Sequence, residues 1–249
     1  MKKLPISIGI LSWHSGQTLI DTLHSYHLKG LLEIVNDVTI FFQETTEEDK
    51  TIANHFSIPY INSTKNVGIT KSFIELAKNA QSENILFLEH DWKLIEDKET
   101  VYNRLSSGLE LINNGFNIVK YRHRNYPGFP LFSQIPYQGN ELNHYDDKID
   151  LISPHLLDSI HWLTSPELDF PDKIQKQGEY FVTTSRWGNW TNNPILLKKD
   201  FSVDILSKFI NSQDLLLEPS ISSWWARQDY KVAHGEGLFK HEDLKKYKQ

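Results

Sequence analysis

The sequence contains no cysteine, which excludes disulfide bonds, thiolate metal sites and cysteine nucleophiles. It also has no excess of basic residues. The net charge of -6 argues against a nucleic-acid partner, because proteins of that class usually need a basic face to displace counterions from phosphates. A nucleotide ligand is still compatible with this charge, because a bound metal ion can neutralise a diphosphate.

Long apolar runs are missing as well. No stretch of the sequence approaches the roughly 20 apolar residues that a membrane span requires. The segment Met1–Pro5 leads straight into a strand-like run, without the apolar core and cleavage site of a signal peptide. We therefore expect a soluble cytoplasmic protein with no transmembrane segment; contact with a membrane surface through a lipid acceptor stays open.

The residues that are present indicate one globular domain over positions 1–249. In the first half, strand-like runs such as 6–11, 38–42 and 85–88 alternate with helical patterns such as 17–28. This alternation predicts an α/β fold with a mostly parallel central sheet flanked by helices. The stretch 121–180 is rich in Pro, Gly, His and aromatic residues and predicts an irregular portion of loops and short strands. A helix over 219–228 and a strand over 230–233 are expected to follow.

Two carboxylates follow the most apolar of these strands, which ends at Glu89-His90-Asp91. In open α/β sheets, ligands bind in the crevice outside the carboxyl ends of the strands. On an extended backbone, Glu89 and Asp91 would point to the same side and could hold a divalent cation and, through it, a diphosphate. The alternative is that both are polar residues that merely end the strand.

The segment from Asn66-Val67-Gly68 through a helix to Glu89-His90-Asp91 resembles the donor-binding half of family-2-like GT-A glycosyltransferases, whose corresponding strand ends in an acid-x-acid (DxD) motif. Residues 6–14 are similar to the first strand and nucleotide-binding loop of that family. The resemblance implies a GT-A fold in which about 1–100 bind the nucleotide-sugar and about 101–249 bind the acceptor. The sequence departs from the family by placing Glu89 at the first acidic position and Trp13-His14 where Tyr-Asn is common.

The resemblance also implies the donor-binding residues, which are Ser12, Trp13, Glu44, Asn66, Gly68, Lys71 and His90. Gln43 is an alternative to Glu44 as the residue that contacts the base or ribose. Asn66 and Gly68 could instead form a simple turn, and Lys71 could be a solvated helix charge.

The C-terminal part matches the same family in the order and spacing of two short motifs. Glu218, just before Pro219, occupies the position of the acceptor-side catalytic base. The stretch 235–241 resembles the terminal metal-binding histidine segment, so that the implied metal ligands are Glu89, Asp91 and His241, with Mn²⁺ favoured over Mg²⁺. Glu218 could instead stabilise a helix N-terminus, and His234 competes with His241.

Two further segments have side chains suited to substrate contacts. The stretch 186–192 combines flat rings with amide and hydroxyl groups, and Trp187 and Trp190 are predicted to bind the acceptor; core packing is the alternative. The basic cluster 120–124 is predicted either to contact a phosphate of donor or acceptor or to form a solvated strand edge.

The resemblance, together with these features, implies a metal-dependent hexosyl- or pentosyltransferase that moves a sugar from a nucleotide-diphosphate sugar, with a UDP-sugar expected, to a hydroxyl of a glycan, glycoprotein or lipid-linked acceptor, with inversion. A nucleotidyltransferase is the alternative enzyme, but its basic Gly-rich loop is missing, because residues 12–16 contain one glycine and no Lys or Arg. A non-catalytic carbohydrate-binding protein is the alternative from a different class.

Overall fold

The computed structural model describes residues 2–128, 162, 164–210 and 217–242. The strands in these ranges are β1 Leu4–Trp13, β2 Val35–Gln43, β3 Tyr60–Asn62, β4 Asn84–Glu89, β5 Trp92–Leu94, β6 Ile118–Arg122, β7 Gln175–Gln177, β8 Tyr180–Thr184, β9 Ile195–Lys198 and β10 Lys231–His241. The helices are α1 Gly16–Leu28, α2 Leu31–Ile34, α3 Glu47–His55, α4 Ile69–Asn79, α5 Lys98–Asn113, α6 Pro166–Asp169, α7 Lys199–Ser207 and α8 Leu217–Trp225. In the described ranges, none of these helices has both the length and the apolar character needed to cross a bilayer.

The strands form one sheet in the order β3-β2-β1-β4-β9-β6-β10-β8-β7, and β5 pairs with β10. Strands β3, β2, β1 and β4 are mutually parallel, whereas β9 is antiparallel to both of its neighbours, β4 and β6. Strand β10 is parallel to β6. The carboxyl ends of β1, β2, β4, β6 and β10 therefore lie along one edge of the sheet, which confirms the predicted α/β architecture.

Helices cover both faces of the sheet because its central strands are apolar on both faces. Ile8 and Ile10 of β1 pack with α1, α2 and α5 on one face. Ile85 and Phe87 of β4 pack with α4, α7 and α8 on the other face. Successive side chains of a strand point to opposite faces, so the continuous apolar runs in β1 and β4 supply both layers.

The structure confirms the strand and helix pattern predicted for the first half of the chain and the helix near 219–228, which is α8. The predicted strand over 230–233 is longer than expected, because β10 continues to His241 after a shift in register between His234 and Phe239. Within the predicted irregular stretch, residues 129–161 and 163 lie outside the described residues. Helix α5 and strands β6 and β9 were not predicted.

Candidate active site

The acid-x-acid segment forms a turn. Strand β4 ends at Glu89, residues 90–91 are a turn, and β5 begins at Trp92. The expectation of an extended backbone from Glu89 to Asp91 is therefore wrong, because the chain must reverse here for β5 to pair antiparallel with β10. As a result, Glu89 lines a cleft of about 170 Å³, whereas the side chain of Asp91 is buried.

Asp91 is in contact with His241. Asp91 Oδ2 lies 3.1 Å from His241 Nε2. Two backbone contacts bring these residues together: His241 pairs with Trp92 across β10 and β5, and the N–H of Glu242 donates to the Asp91 carbonyl at 2.9 Å. The other carboxylate oxygen, Oδ1, is buried and has no hydrogen-bond partner among the described residues.

The two acidic residues of the turn differ in their electrostatic surroundings. Burial raises the pKa of Glu89 well above its ordinary value, and the negative charges of Asp91 and Glu218 raise it further. Burial would also raise the pKa of Asp91, but the hydrogen bond from His241 and the charges of His90 and His241 outweigh that effect and hold the pKa below its ordinary value. Positive charge is therefore favoured beside Asp91.

His241 is supported from its other side by the segment that follows β6. The His241 N–H donates to the Pro127 carbonyl at 3.1 Å, and Gly128 forms a bridge with His241. Gly128 has φ +73°, and a Cβ there would lie 1.8 Å from the His241 carbonyl oxygen. The buried guanidinium of Arg122 donates through Nε to Pro127 at 3.0 Å, and burial lowers the pKa of Arg122 to about 10. Arg122 thus helps to fix the Pro127 carbonyl, which also accepts the hydrogen bond from the His241 N–H.

Of the two histidines considered from the sequence, His241 is the one beside Asp91. His234 is buried, packs edge-on against Trp162, and its Nε2 lies 3.0 Å from the Arg122 carbonyl oxygen. The implied ligand set of Glu89, Asp91 and His241 is not assembled as one cluster, since no group of three or more His, Asp or Glu side chains in the described ranges is placed to hold a metal ion.

Glu218 lines the same small cleft as Glu89 and His241. It lies in the first turn of α8, and its Oε1 accepts a hydrogen bond of 2.7 Å from the backbone N–H of Asn192. Asn192 is placed at this edge because β9, which starts at Ile195, runs antiparallel to β4 and β6, so the residues just before it reach the carboxyl ends of those strands. No pattern in the sequence predicts the contact between Asn192 and Glu218.

A second and larger cleft, of about 650 Å³, lies on the other side of the turn. Its lining residues are Trp13, His14, Ser15, Gly16, Gln17, Thr18, Thr46, Glu48, Asp49 and His90. They come from the end of β1 and the loop after it, the first turn of α1, the start of α3 and the turn after β4. His90 thus lines the large cleft, whereas Glu89, its neighbour in sequence, lines the small one.

Trp13 is held at the rim of the large cleft by Glu44. The Trp13 indole Nε1 donates to Glu44 Oε2 at 2.7 Å, and His14 Nε2 lies 3.0 Å from the same oxygen. These hydrogen bonds lower the pKa of the Glu44 carboxyl below its ordinary value. The Trp13 side chain remains 48% exposed, so a flat surface in a fixed orientation faces the solvent.

Gln43, the alternative to Glu44, is buried and binds the next loop. Its Oε1 accepts hydrogen bonds from the N–H groups of Val67 at 2.7 Å and Gly68 at 3.1 Å. Asn66 Oδ1 also accepts from the Gly68 N–H, at 2.9 Å, and Gly68 has φ +82° at the start of α4. Asn66 and Gly68 therefore form the turn that begins α4, and they line neither of the two clefts.

Two other residues assigned to the donor also lie outside the clefts. Ser12 is buried, with its hydroxyl 2.6 Å from the Ser15 hydroxyl, and Lys71 is exposed on α4. Their assignment to the donor stays a prediction.

The two tryptophans assigned to the acceptor have different surroundings. Trp190 is buried, with 2% of its surface exposed, and its ring packs edge-on against Trp225 with centroids 5.2 Å apart. Its predicted stacking on an acceptor is not supported, because the ring faces the core. Trp187 is partly buried and lies between Lys173 and Arg186, whose cationic groups are 4.7 and 4.6 Å from its ring centre.

Replacing Trp190 by Ala should destabilise the protein by about 3–5 kcal/mol, because it removes a buried aromatic ring and leaves a cavity. Chemical denaturation followed by circular dichroism measures this loss. Trp187→Ala is the matched control and should cost clearly less, since that ring is partly exposed. Equal losses for the two variants would contradict the packing role of Trp190.

Comparison with known proteins identifies the fold. No protein-family model matches the sequence, and no curated protein matches it either. Among solved structures, a mannosyltransferase from Pyrobaculum calidifontis in complex with GDP-Man and Mn²⁺ superposes with a TM-score of 0.57 at 8% identity, covering 98% of this chain and 57% of that one. The chain has a GT-A fold.

A second solved structure agrees with this assignment. S. aureus TarS 1-349 superposes with a TM-score of 0.53 at 11% identity, covering 97% of this chain and 60% of that chain. A nucleotidyl transferase from Methanothermobacter superposes with a TM-score of 0.47 at 9% identity, covering 95% and 87%. The chain spans less than two thirds of the length of the mannosyltransferase and of TarS 1-349.

Proposed function

We propose that this protein is a metal-dependent glycosyltransferase that transfers a sugar from a nucleotide-diphosphate sugar to a hydroxyl of a glycan, glycoprotein or lipid-linked acceptor, with inversion. The observation that carries the proposal is the contact between Asp91 and His241, beside a cleft that Glu218 lines. These residues lie at the carboxyl edge of a GT-A sheet, where ligands of open α/β sheets bind.

The residues beside the turn fit a divalent cation. Asp91 has a buried oxygen, Oδ1, without a hydrogen-bond partner in the described chain, and His241 lies against its other oxygen. One carboxylate and one imidazole suit Mn²⁺ or Mg²⁺ when the remaining ligands are phosphate oxygens and water. Asp91 and His241 would hold the cation, with Glu89 close by, and Mn²⁺ is favoured. When bound, it would stabilise the negative charge of the leaving nucleoside diphosphate.

Glu218 is proposed to accept the proton of the acceptor hydroxyl. The Asn192 N–H fixes Oε1 of Glu218 at 2.7 Å, and Oε2 has no hydrogen bond within the described part of the chain. A carboxylate held through one oxygen can present the other to an acceptor in the small cleft. Proton removal on the acceptor side and departure of the diphosphate on the other side of the sugar are consistent with direct displacement and inversion.

The large cleft is proposed to hold the nucleoside of the donor. Its volume of about 650 Å³ lies in the usual range for small-molecule sites. The exposed face of Trp13 can stack on a base, and Glu44 keeps that ring in place. His90 lines this cleft and is adjacent in sequence to Asp91, so a diphosphate that extends from the cleft past His90 would approach the proposed cation. A uridine nucleotide is the favoured donor.

Trp13→Ala should weaken binding of the donor nucleotide by about 5- to 150-fold, because base–aromatic stacking is worth about 1–3 kcal/mol. The exposed position of the ring predicts little change in the melting temperature. Titration of the variant with UDP and with GDP, each in the presence of Mn²⁺, measures the effect. Leu28→Ala, at an exposed apolar residue on α1, is the control and should bind as the wild type does. Unchanged affinity in Trp13→Ala would contradict the stacking role.

The deciding experiment is a calorimetric titration of the wild-type protein with UDP, GDP, CDP and their common sugar conjugates, each with Mn²⁺ and with a chelator. Metal-dependent binding of one diphosphate would support the proposal and identify the base. Binding of nucleoside triphosphates in preference to every diphosphate would favour a nucleotidyltransferase. Binding of free glycans without any nucleotide would favour a carbohydrate-binding protein.

A further inference from the structure

A buried lysine lies behind the small cleft. Lys120 of β6 is 2% exposed, and its Nζ donates to both acceptors of Asn189, the backbone carbonyl and, at 3.2 Å, the side-chain Oδ1. Burial lowers the pKa of Lys120 to about 7, although the negative charge of Glu218 acts in the opposite direction. Burying an ammonium group costs free energy. The two hydrogen bonds from Lys120 to Asn189 therefore indicate a structural role for this lysine.

The segment that Lys120 holds is the one that contacts Glu218. Residues 188–192 are held by contacts with the sheet and with α8: the Gly188 N–H donates to the Thr184 carbonyl of β8 at 2.9 Å, the Trp225 indole N–H donates to the Gly188 carbonyl at 2.8 Å, Lys120 binds Asn189, and the Asn192 N–H donates to Glu218 Oε1 at 2.7 Å. Trp225 and Glu218 both belong to α8, whereas Lys120 belongs to the sheet. Lys120 is therefore the side chain of β6 that holds the interior of this segment, between the backbone attachment of Gly188 to β8 and that of Pro194 to Tyr121.

We propose that Lys120 is a positioning residue for Glu218, acting through the backbone of residues 189–192. The expected effect of Lys120 on the reaction rate rests on the function proposed above, whereas its effect on the backbone of residues 189–192 does not. The Asn192 N–H is a main-chain donor, so its direction depends on the path of the chain between residues 189 and 192. Without the hydrogen bonds from Lys120, residues 189–192 are held to the sheet only at their two ends, where Gly188 binds Thr184 and Pro194 binds Tyr121. The Asn192 N–H, and with it the partner of the Glu218 carboxylate, is then less firmly fixed. A misplacement of about 1 Å at a reacting group can cost a hundredfold in rate.

Lys120→Met removes the hydrogen bonds and the charge while it keeps most of the side-chain volume. Hydrogen exchange of the Asn192 amide, followed by NMR, should become about tenfold faster, because its hydrogen bond opens more often. The amides of β1 and β4 should exchange as in the wild type. Lys120→Arg, which keeps a donor and a charge, should restore part of the protection. Lys78→Met, at an exposed lysine on α4, is the matched control and should change nothing at Asn192.

Turnover of the nucleotide-sugar identified by calorimetry gives the catalytic readout. Lys120→Met should lower kcat by about 10- to 100-fold, with the Kd for the nucleoside diphosphate and Mn²⁺ unchanged, because Asp91, His241 and Trp13 remain in place. Lys78→Met should keep the wild-type kcat. A wild-type protein that binds no nucleotide would overturn the proposed function, but the exchange rate of Asn192 would still decide the role of Lys120.

Wild-type exchange at Asn192 in Lys120→Met would overturn the inference. If that variant does not fold, Asn189→Leu decides, because it removes only the side-chain acceptor of Lys120 on a half-buried residue. Faster exchange at Asn192 in Asn189→Leu supports the inference, and unchanged exchange contradicts it.

Discussion

Glu218→Gln is expected to lower sugar transfer by about 10²–10⁴-fold, the usual contribution of a general base, while the Kd for the nucleotide-sugar stays within about twofold of the wild type. The amide is the same size as the carboxylate and its Oε1 can still accept from the Asn192 N–H, so the structure of the cleft is preserved. What is lost is the ability to accept a proton. Initial rates with radiolabelled donor, together with calorimetry of donor binding, measure both quantities.

The matched control is Glu110→Gln, at an exposed carboxylate on α5, which should transfer sugar at the wild-type rate. Full activity in Glu218→Gln would show that Glu218 only caps α8, which is the alternative that the sequence left open. Loss of donor binding together with transfer would also contradict the assignment, because it would place Glu218 on the donor side.

Asp91→Asn is expected to weaken Mn²⁺-dependent nucleotide binding by at least about 100-fold, because it removes the negative charge that lies against His241. The substitution keeps the shape of the side chain. With a chelator present, the variant and the wild type should bind the nucleotide equally weakly, because the substitution removes only the contribution of the metal ion to nucleotide affinity. Calorimetric titration under both conditions separates these effects.

Asp204→Asn, at an exposed carboxylate on α7, is the control and should retain metal-dependent binding. Because Asp91 is buried, a thermal melt of Asp91→Asn must show that the fold persists before binding is compared. Metal-dependent affinity equal to that of the wild type in a folded Asp91→Asn would remove Asp91 from the metal site and leave Glu89 as the remaining acidic candidate.

The β-α pattern of the first half could be predicted because it depends on local signals. The apolar run of β4 and the helical spacing of α1 and α4 determine those elements nearly by themselves. The direction of the parallel strands then places Trp13, Glu44 and Glu89 at one edge of the sheet, as expected from the sequence. These parts of the site follow from short stretches of chain.

Other parts of the site depend on contacts between distant segments. The turn at residues 90–91 forms because β5 pairs with β10, which comes at the end of the described chain. The burial of Trp190 depends on Trp225 of α8, and Lys120 is buried because β9 and β10 flank β6. No periodicity in a short stretch encodes these pairings, which is why an acceptor role was expected for Trp190 and no role specific to Lys120 was found.

The late position of strand β10 in the sequence affects the order in which parts of this fold form. The partner that Asp91 meets, His241, is the last residue of that strand, so the pair exists only after β10 has paired with β5 and β6. Contacts between residues so far apart in sequence are costly in chain entropy and form late in folding. If Asp91 and His241 hold the proposed cation, a refolding chain whose first half is already formed should therefore lack tight metal binding until β10 has paired, and the appearance of Mn²⁺-dependent affinity would report when the sheet is complete.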